Sequence, residues 1–472
     1  MSGLFHTLGI GSESLFVSRQ GVDTTGHNIS NAQQPGYSRQ RLNLATRDPL
    51  QRAMITIGNG TYVREIARIH DQFVENQLNL SAHDLGASQT KAEALKGLEG
   101  IYSPELQATV QDELNSFFSA VRDFSNNPEE VSVRTNLREA AGGVASSFRR
   151  VDMSLRRARE DVNDQVAGEA KDVNEMLRSI ASLNLKIGEL ESGANGPAND
   201  MRDQRDKIVR DLSQKMEVRY YEDKFGGFVI RGPGETSLVE GKQHATIDVD
   251  RGAEGMYEVT VSDFENRHSK GLNEYVEKGK LRALLDVRDK TLPGLIDHNN
   301  GLATTFVENV NNVHSQGFGL GDFKEVSGRG MFKDVGDPRF AAQDIGITDA
   351  ITASTDALSG ASSPNAPGDN VIANDIIRLQ SEKLFDDGHA TLSEYYSNFV
   401  SSLGLEIQRA DHTKEANEVI FGELNAKREA VSGVSLDEEA TNLLKWQTCF
   451  RASSKLITTV DEMLDTVLSL KR

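Results

Sequence analysis

Closely spaced acidic residues are the first place in this sequence to look for metal chemistry. Asp248, Asp250 and Gly252 have the spacing that opens a calcium-binding loop. Val259, however, stands where such a loop needs a bidentate glutamate. The histidines are scattered and form no His-Glu-x-x-His pattern. We therefore expect no metal site and no cofactor.

Glycine-rich and serine-containing stretches could in principle serve phosphate binding or nucleophilic catalysis. Gly317, Gly319 and Gly321 resemble part of a phosphate loop, but no strand-then-helix pattern and no following Lys-Ser or Lys-Thr surrounds them. The "GSES" at 11–14 lacks the second glycine of a nucleophile elbow and falls in a predicted helix. The adjacent glutamates at 438–439 suit a solvated helix start. No catalytic residue is expected.

The sequence also argues against N-glycosylation and against an internal disulfide. Residues 28–30 and 79–81 match the N-glycosylation sequon, which occurs often by chance, and glycosylation is not expected at either. Cys449 is the only cysteine, so the chain can form neither an internal disulfide nor a cysteine-based zinc site. It lies within a helical apolar pattern, which favours an inert packed thiol.

The overall charge excludes two classes of partner. The formal net charge is −19 over 472 residues, so a general nucleic-acid or anionic-membrane surface is not expected. No apolar run approaches the roughly 20 residues that span a bilayer. The N-terminal stretch lacks the basic flank and apolar core of a secretory signal. These features predict a cytosolic location unless another export route takes the chain.

The two ends of the sequence carry heptad patterns. Near the N-terminus one row of seven-residue spacing holds large apolar side chains, Leu8, Leu15, Val22 and Ile29. The interleaved row is mostly small, with Leu4, Gly11, Ser18 and Thr25. Near the C-terminus the two rows are Leu443, Phe450, Ile457 and Leu464, and Trp446, Ser453, Val460 and Val467. Both patterns are typical of a coiled-coil seam.

An ordinary amphipathic helix on a core is the alternative interpretation of each stripe. The recurrence at both ends favours the coiled coil, in which the N-terminal helix extends about 45 Å. A helix of this length is marginal in water without a partner. We therefore predict that the two ends pair, with the two large rows facing each other.

The sequence between the ends predicts a fold that is mainly α with an inserted β domain, in the α+β class. Helices are predicted at about 71–125, 130–192, 281–314, 392–431 and 436–470, and β-prone runs at about 217–263. The predicted architecture is an elongated helical rod whose terminal coiled-coil helices pair at one end. The expected divisions are a terminal helix at 1–35, a helical rod at 36–213, a β insert at 214–275, more helical rod at 276–429 with an irregular segment at 317–368, and a terminal helix at 430–472.

The stretch "HNISNAQQPGYSRQ" at 27–40 resembles a segment shared by bacterial flagellar axial proteins, which are the rod, hook and hook–filament junction subunits. The family pattern reads Asn-Asn-Ile-Ser-Asn followed by Gly-Tyr-Ser/Thr-Arg, and His27 replaces its first asparagine. Segments at 57–78, 200–218, 278–294 and 431–468 are similar to the junction subunit of that family. Together these segments cover about half of the chain.

The resemblance implies a structural protein of the junction between hook and filament, exported unfolded through the flagellum's own apparatus and located outside the cell. It implies self-assembly into a ring of the flagellar tube. The implied partners are the hook protein, the next junction protein toward the filament and an export chaperone. Two alternatives are another axial protein, either the hook subunit or a second junction protein, and an axial protein with a hydrolase activity.

The residues predicted to act are those of an assembly interface. They are Leu4, Leu8, Leu15, Val22, Ile29, Leu443, Trp446, Phe450, Ile457, Val460, Leu464 and Val467. After the first helix, Asn28, Asn31 and Gly36 are expected to cap the helix and supply unusual backbone angles. Tyr37 and Arg39 are expected to contact a neighbouring subunit.

Overall fold

The structure is a computed structural model that describes residues 2–52, 55–102, 108–193, 196–222, 227–265, 269–385 and 388–469. Within these ranges the α-helices are α1 (Ser2–Asn31), α2 (Gln72–Tyr102), α3 (Val110–Asn126), α4 (Val131–Glu191), α5 (Asn199–Lys215), α6 (Gly279–Asp286), α7 (Leu292–His314), α8 (Ala341–Asp344), α9 (Asp349–Ala353), α10 (Val371–Leu379), α11 (Leu392–Ser432) and α12 (Leu436–Ser469).

The strands form small antiparallel sheets. Their bounds are β1 (Gln40–Thr46), β2 (Leu50–Arg52), β3 (Ile55–Ile57), β4 (Thr61–Arg68), β5 (Arg219–Glu222), β6 (Phe228–Arg231), β7 (Ser237–Glu240), β8 (Gln243–His244), β9 (Thr246–Arg251), β10 (Tyr257–Ser262), β11 (Ser269–Gly271), β12 (Lys383–Phe385) and β13 (Ala390–Thr391). The sheet orders are β1-β4, β2-β3, β5-β6-β7-β8, β11-β10-β9 and β12-β13. The predicted fold class, mainly α with an inserted β domain, is confirmed.

Several predicted helices match the structure closely because their apolar stripes are long. The predictions at 130–192, 392–431 and 436–470 correspond to α4, α11 and α12. The single helix predicted at 71–125 is two helices, since α3 begins with a capping box in which the Thr109 side chain accepts from the Asp112 N–H. The helix predicted at 281–314 contains a π-helical turn at Val287–Thr291, next to Pro293, whose nitrogen carries no hydrogen to donate.

One segment differs from the sequence-based division. Residues 36–213 are predicted as helical rod, but β1 to β4 occupy Gln40 to Arg68 within it. Strands β1 and β4 pair antiparallel, with a register shift between Asn43 and Leu44. We call β1 to β4 the hairpin segment. It packs along α1, where the Gly60 backbone lies against Ile10 and Glu13 pairs with Arg47 at 2.9 Å.

The core of the body lies between α3, α4, α7 and the irregular segment. Phe306 makes edge-to-face contacts with Phe117 and Phe332, with ring centroids 5.4 Å and 5.2 Å apart. The three phenylalanines are buried, as is Phe148, whose ring lies 6.4 Å from that of Phe306. This cluster fixes the irregular segment against the long helix α4.

His314, the last residue of α7, is a buried polar residue. Its Nδ1 lies 2.8 Å from the Arg329 carbonyl oxygen, and its Nε2 accepts the Ser359 N–H at 2.9 Å. These two bonds require the neutral tautomer with the proton on Nδ1. Burial lowers the pKa of His314 to about 4. Burial also lowers the pKa of His83 on α2 to about 4.

We expect acid to weaken the fold through these histidines. Because the folded pKa lies below the unfolded value of about 6.5, the stabilisation is complete above that pH and is lost as the pH falls toward 4. For His314 the full loss in the free energy of unfolding, reached near pH 4, is on the order of 3 kcal/mol, and about 2 kcal/mol of it is expected by pH 5. Urea unfolding at pH 7.5, 6 and 5 measures it. His314→Asn should lose less stability than the wild type between pH 7.5 and 5.

The matched control is His412→Gln, which removes an exposed histidine from α11. It should keep the pH dependence of the wild type. Equal losses in the wild type and in His314→Asn would show that His314 does not contribute.

Candidate assembly interface

Helices α1 and α12 lie side by side and antiparallel. Ser14 and Ser453 hydrogen-bond through their hydroxyls at 2.8 Å, while Asn28, near the other end of α1, bonds Glu439 near the start of α12. The contact depends on glycine, because a Cβ at position 21 would lie 2.3 Å from a ring carbon of Trp446. Only the absence of a side chain at Gly21 lets the indole ring rest on the α1 backbone.

The small and the large heptad rows predicted to form the seam differ in how deeply they are buried between α1 and α12. The centre on α1 is built from small buried residues, Gly11, Ser18, Gly21 and Thr25. On α12 the central row holds buried Ser453 and Val460 and half-buried Trp446, while Val467 at its end is exposed. The large rows are only half-buried, and they are Leu8, Leu15, Val22 and Ile29 on α1 and Leu443, Phe450, Ile457 and Leu464 on α12. Leu4, at the start of the small row, is half-buried as well.

The prediction that the two large rows face each other is therefore corrected. Small residues on α1 let the helices approach closely, and Ile457 of the large row on α12 lies against Gly11. Val22 and Phe450 of the large rows lie on one flank of the contact instead. Between the helices on that flank lies a cavity of about 500 Å³ lined by Arg19, Val22, Gln447, Phe450 and Arg451. We call this cavity the flank groove. It leaves part of both apolar rows open to solvent.

The Asn28 amide joins the terminal pair to the rest of the chain. Its Oδ1 accepts the Tyr37 hydroxyl at 2.8 Å and the Gln40 N–H at 2.9 Å. Its Nδ2 donates to the Gln40 carbonyl at 2.9 Å and to Glu439 Oε2 at 3.1 Å. The residue is 1% exposed, and these bonds use both lone pairs and both hydrogens of the amide. One side chain thus fixes the end of α1, the following turn, β1 and the start of α12.

The turn after α1 has the predicted chemistry at Asn31 and Gly36, whereas Asn28, also predicted as a cap, lies inside α1 and bonds other segments. The Tyr37 N–H donates to the Gln34 carbonyl at 3.2 Å, and Gly36 has φ +86. Proline at the second position and glycine with positive φ at the third are typical of a type II turn. Asn31 Nδ2 donates to the His27 carbonyl at 3.0 Å and so caps the last turn of α1.

Tyr37 is buried inside the chain, and Arg39, which is half-buried, makes contacts within the chain. The Tyr37 side chain is 7% exposed, and burial together with the carboxylates of Asp200 and Asp203 raises its pKa. The Arg39 N–H donates to the Ser432 carbonyl at 2.8 Å, and its guanidinium pairs with Glu438. The expected subunit contact of Tyr37 is therefore replaced by a structural role beneath the turn.

A buried ionic network ties the turn to the body, and sequence reasoning did not find it. Glu75 on α2 pairs with Arg428 on α11 at 2.8 Å and with Arg210 on α5 at 2.7 Å. Arg428 also donates to the Gly36 carbonyl at 2.7 Å. Burial alone would raise the pKa of Glu75, but the two guanidiniums lower it. The available signal was a charged residue at a core position of each helical stripe.

Asp203 on α5 makes a second link that sequence reasoning missed. It accepts the buried Ser38 N–H at 2.7 Å and pairs with Arg68 of β4 at 2.8 Å. Arg68 also pairs with Asp206 at 2.7 Å. The turn and the hairpin segment are therefore both fixed to α5.

The stretches considered for chemistry have structural roles. Asp248 and Asp250 lie on β9, where Asp248 accepts the Ser262 hydroxyl at 2.8 Å. A Cβ at Gly319 would lie 2.2 Å from the Asp356 carbonyl oxygen, so this glycine permits a close backbone approach. The sequon residues Asn28 and Asn79 are 1% and 6% exposed. In the "GSES" stretch, Gly11 lies against Ile457.

Two properties of the described ranges bear on other functions. No group of three or more histidine, cysteine, aspartate or glutamate side chains in them is arranged to hold a metal ion. None of the helices in these ranges combines the length and apolarity needed to cross a bilayer.

Comparison with known proteins gives consistent matches. A family model described as flagellar hook-associated protein FlgK helical domain matches residues 95–332, and one described as flagellar basal body rod FlgEFG protein C-terminal matches residues 429–470. Flagellar hook-associated protein 1 of Bacillus subtilis is 27% identical, covering 99% of both chains. Its counterpart from Salmonella typhimurium is 23% identical, covering 97% of this chain and 98% of that one.

A solved structure shares the fold. The flagellar hook junction protein FlgK from Burkholderia pseudomallei superposes with a TM-score of 0.68 at 14% identity. The match covers 76% of this chain and 100% of that chain.

The close approach at Gly21 can be tested with Trp446, the only tryptophan. In Gly21→Ala the added methyl group would overlap the indole ring, so the ring should move into solvent, with a red-shifted emission and stronger quenching by acrylamide. Gly26→Ala is the matched control, since no atom lies within 4 Å of a Cβ there. Both changes raise helix propensity by about 1 kcal/mol, so identical spectra for the two variants would contradict the packing.

The Asn28 amide predicts a second outcome. Asn28→Asp removes both donated hydrogen bonds and places a carboxylate beside Glu439, so we expect about 3 kcal/mol loss in the free energy of unfolding at pH 7.5. Urea unfolding monitored by Trp446 fluorescence measures the loss. Asn76→Asp makes the same chemical change at an exposed site on α2 and should change stability little. Equal effects would show that the buried amide has no special role.

Proposed function

The chain belongs to the family of flagellar hook-associated proteins called FlgK, and from that premise we propose that it is a structural subunit of the junction between the flagellar hook and the filament. The observation that carries the proposal is the match to flagellar hook-associated proteins over nearly the whole chain. No enzymatic role is proposed.

The terminal pair supplies a means of assembly. The flank groove and the half-exposed Leu15, Val22 and Phe450 leave apolar area in contact with water. Burial of such area contributes roughly 25 cal/mol per Å², which favours coverage by another protein surface. We propose that copies of this chain cover one another along these helices and form a ring of the flagellar tube.

Further partners follow from the same surface and from the place in the flagellum. The hook protein lies on one side of the ring and the next junction protein on the other. Apolar side chains of α12, such as Leu444, Met463 and Leu468, are exposed and must be shielded from water before assembly. We propose that an export chaperone binds them and then releases the chain for unfolded export out of the cell.

Another axial protein is the second candidate. The C-terminal match at 429–470 is to a model of rod and hook proteins and favours no single member. The match at 95–332 is to the helical domain of the hook-associated protein, and this supports the junction subunit over the hook subunit.

Deletion of the gene tests the function. We expect intact hooks without filaments by electron microscopy, and filament subunit released into the medium, because the filament has no junction on which to grow. The gene supplied on a plasmid should restore filaments. Normal filaments in the deletion strain would overturn the assignment.

A further inference from the structure

The free face of α1 lies apart from both of its contacts within the chain. Phe5 and Phe16 are 59% and 52% exposed, which is unusual for large aromatic side chains. At 100° per residue, Phe5, Ser12, Phe16 and Asp23 fall within a stripe about 40° wide. We call this stripe the phenylalanine face.

The other sides of α1 are occupied. Gly11, Ser14 and Gly21 face α12. His6, whose Nε2 lies 3.3 Å from the Gly58 carbonyl oxygen, and Glu13, which pairs with Arg47, face the hairpin segment. The phenylalanine face therefore points away from both partners of the helix.

The flank groove has the chemistry to receive an aromatic ring. Val22 and Phe450 supply apolar wall, and Arg19 and Arg451 place guanidinium groups beside it. A guanidinium over an aromatic face is attractive, more so when water is excluded. Arg451 has no carboxylate within 4 Å in the part of the chain that the structure describes. Arg19 approaches only Asp23, at 3.9 Å.

The phenylalanine face offers the complementary groups. Phe16 provides the ring, and Asp23 stands two helical turns later, about 10 Å along the same stripe. The Asp23 side chain is 64% exposed, so it can meet the unpaired Arg451 while Phe16 enters the groove. Apolarity and charge thus agree between two surfaces of this one chain.

We infer that the flank groove of one copy holds Phe16 of a second copy, with Asp23 of that copy directed at the groove's arginines. The inference rests on the proposed function and names its subunit contact. The two surfaces are made of different residues, although they adjoin where Arg19 of the groove approaches Asp23 of the phenylalanine face at 3.9 Å. The contact is therefore heterologous. Each copy then carries one free groove and one free phenylalanine, and repetition produces a ring or a helix of subunits.

Disulfide trapping in assembled flagella tests the contact. The variant carries Phe16→Cys on the free face and Gln447→Cys at the groove, with the native thiol removed by Cys449→Ser. Cells that produce it are treated with a mild oxidant, and their flagella are run on a denaturing gel without reductant. A disulfide requires Cα atoms within about 7 Å, so the contact predicts a ladder of dimers, trimers and larger oligomers.

Three control variants test whether the cross-link is specific to the Phe16 and Gln447 pair. Phe16→Cys alone and Gln447→Cys alone, both with Cys449→Ser, should give no cross-link, and a dimer from either would show an isologous contact and overturn the inference. Phe16→Cys with Tyr221→Cys, a 47% exposed site in the β insert, should give no ladder. A cross-link from the test variant to a protein of another size would show that a different partner fills the groove.

The same cells separate this inference from the proposed function. If filaments form and the chain is detected in isolated hook–filament preparations but no ladder appears, the contact is overturned and the junction role stands. If the wild-type chain, examined in cells with normal filaments, is absent from such preparations, the junction role itself fails.

Discussion

Helices α1 and α12 can lie in close contact only because one of them presents almost no side chain where they meet. The Trp446 ring lies against the backbone of Gly21. A Cβ at position 11 would lie only 3.1 Å from Cγ1 of Ile457, so Ile457 packs against the Gly11 backbone in the same way. The two helices thereby come close enough for the Ser14 and Ser453 hydroxyls to bond directly. Val22 and Phe450 lie beside this contact rather than in it, and the groove between them stays open.

The pair is held to the body by polar groups rather than by more apolar packing. Asn28 has all its hydrogen-bonding positions filled, and Glu75 is shared by two guanidiniums. Buried polar networks of this kind are costly when one member is missing, so they fix a single arrangement. Arg428 also fixes the turn after α1, because it donates a hydrogen bond to the Gly36 carbonyl. The orientation of the terminal helices is thus set by directional bonds.

Much of the fold could be predicted from the sequence, because long stripes such as those of α4, α11 and α12 leave little choice of structure. The turn at 34–37 was also predictable, since proline and glycine restrict backbone angles by themselves. The hairpin segment was missed because its strands are stabilised by lying along α1, a contact that local alternation does not reveal. The apolar rows alone could not show which row forms the centre.

The sequence allowed us to predict which residues form the candidate interface better than how they are arranged. Heptad reasoning places the largest residues at the interface by default, whereas here Gly21 and Trp446 make the closer contact. The bonds from Glu75 join residues 135 and 353 positions apart, and nothing local marks such partners. Phe5 and Phe16 fell outside the heptad rows altogether.

The meeting of Gly21 and Trp446 also links the two ends of the gene. Hydrogen bonds between the terminal helices join residues as many as 439 positions apart, so no single stretch of sequence encodes this unit. A larger residue at position 21 keeps this packing only if the residue at position 446 is smaller. Substitutions at these two sites should therefore be inherited as pairs, and an exchange of either end between relatives should fail unless the other end is exchanged with it.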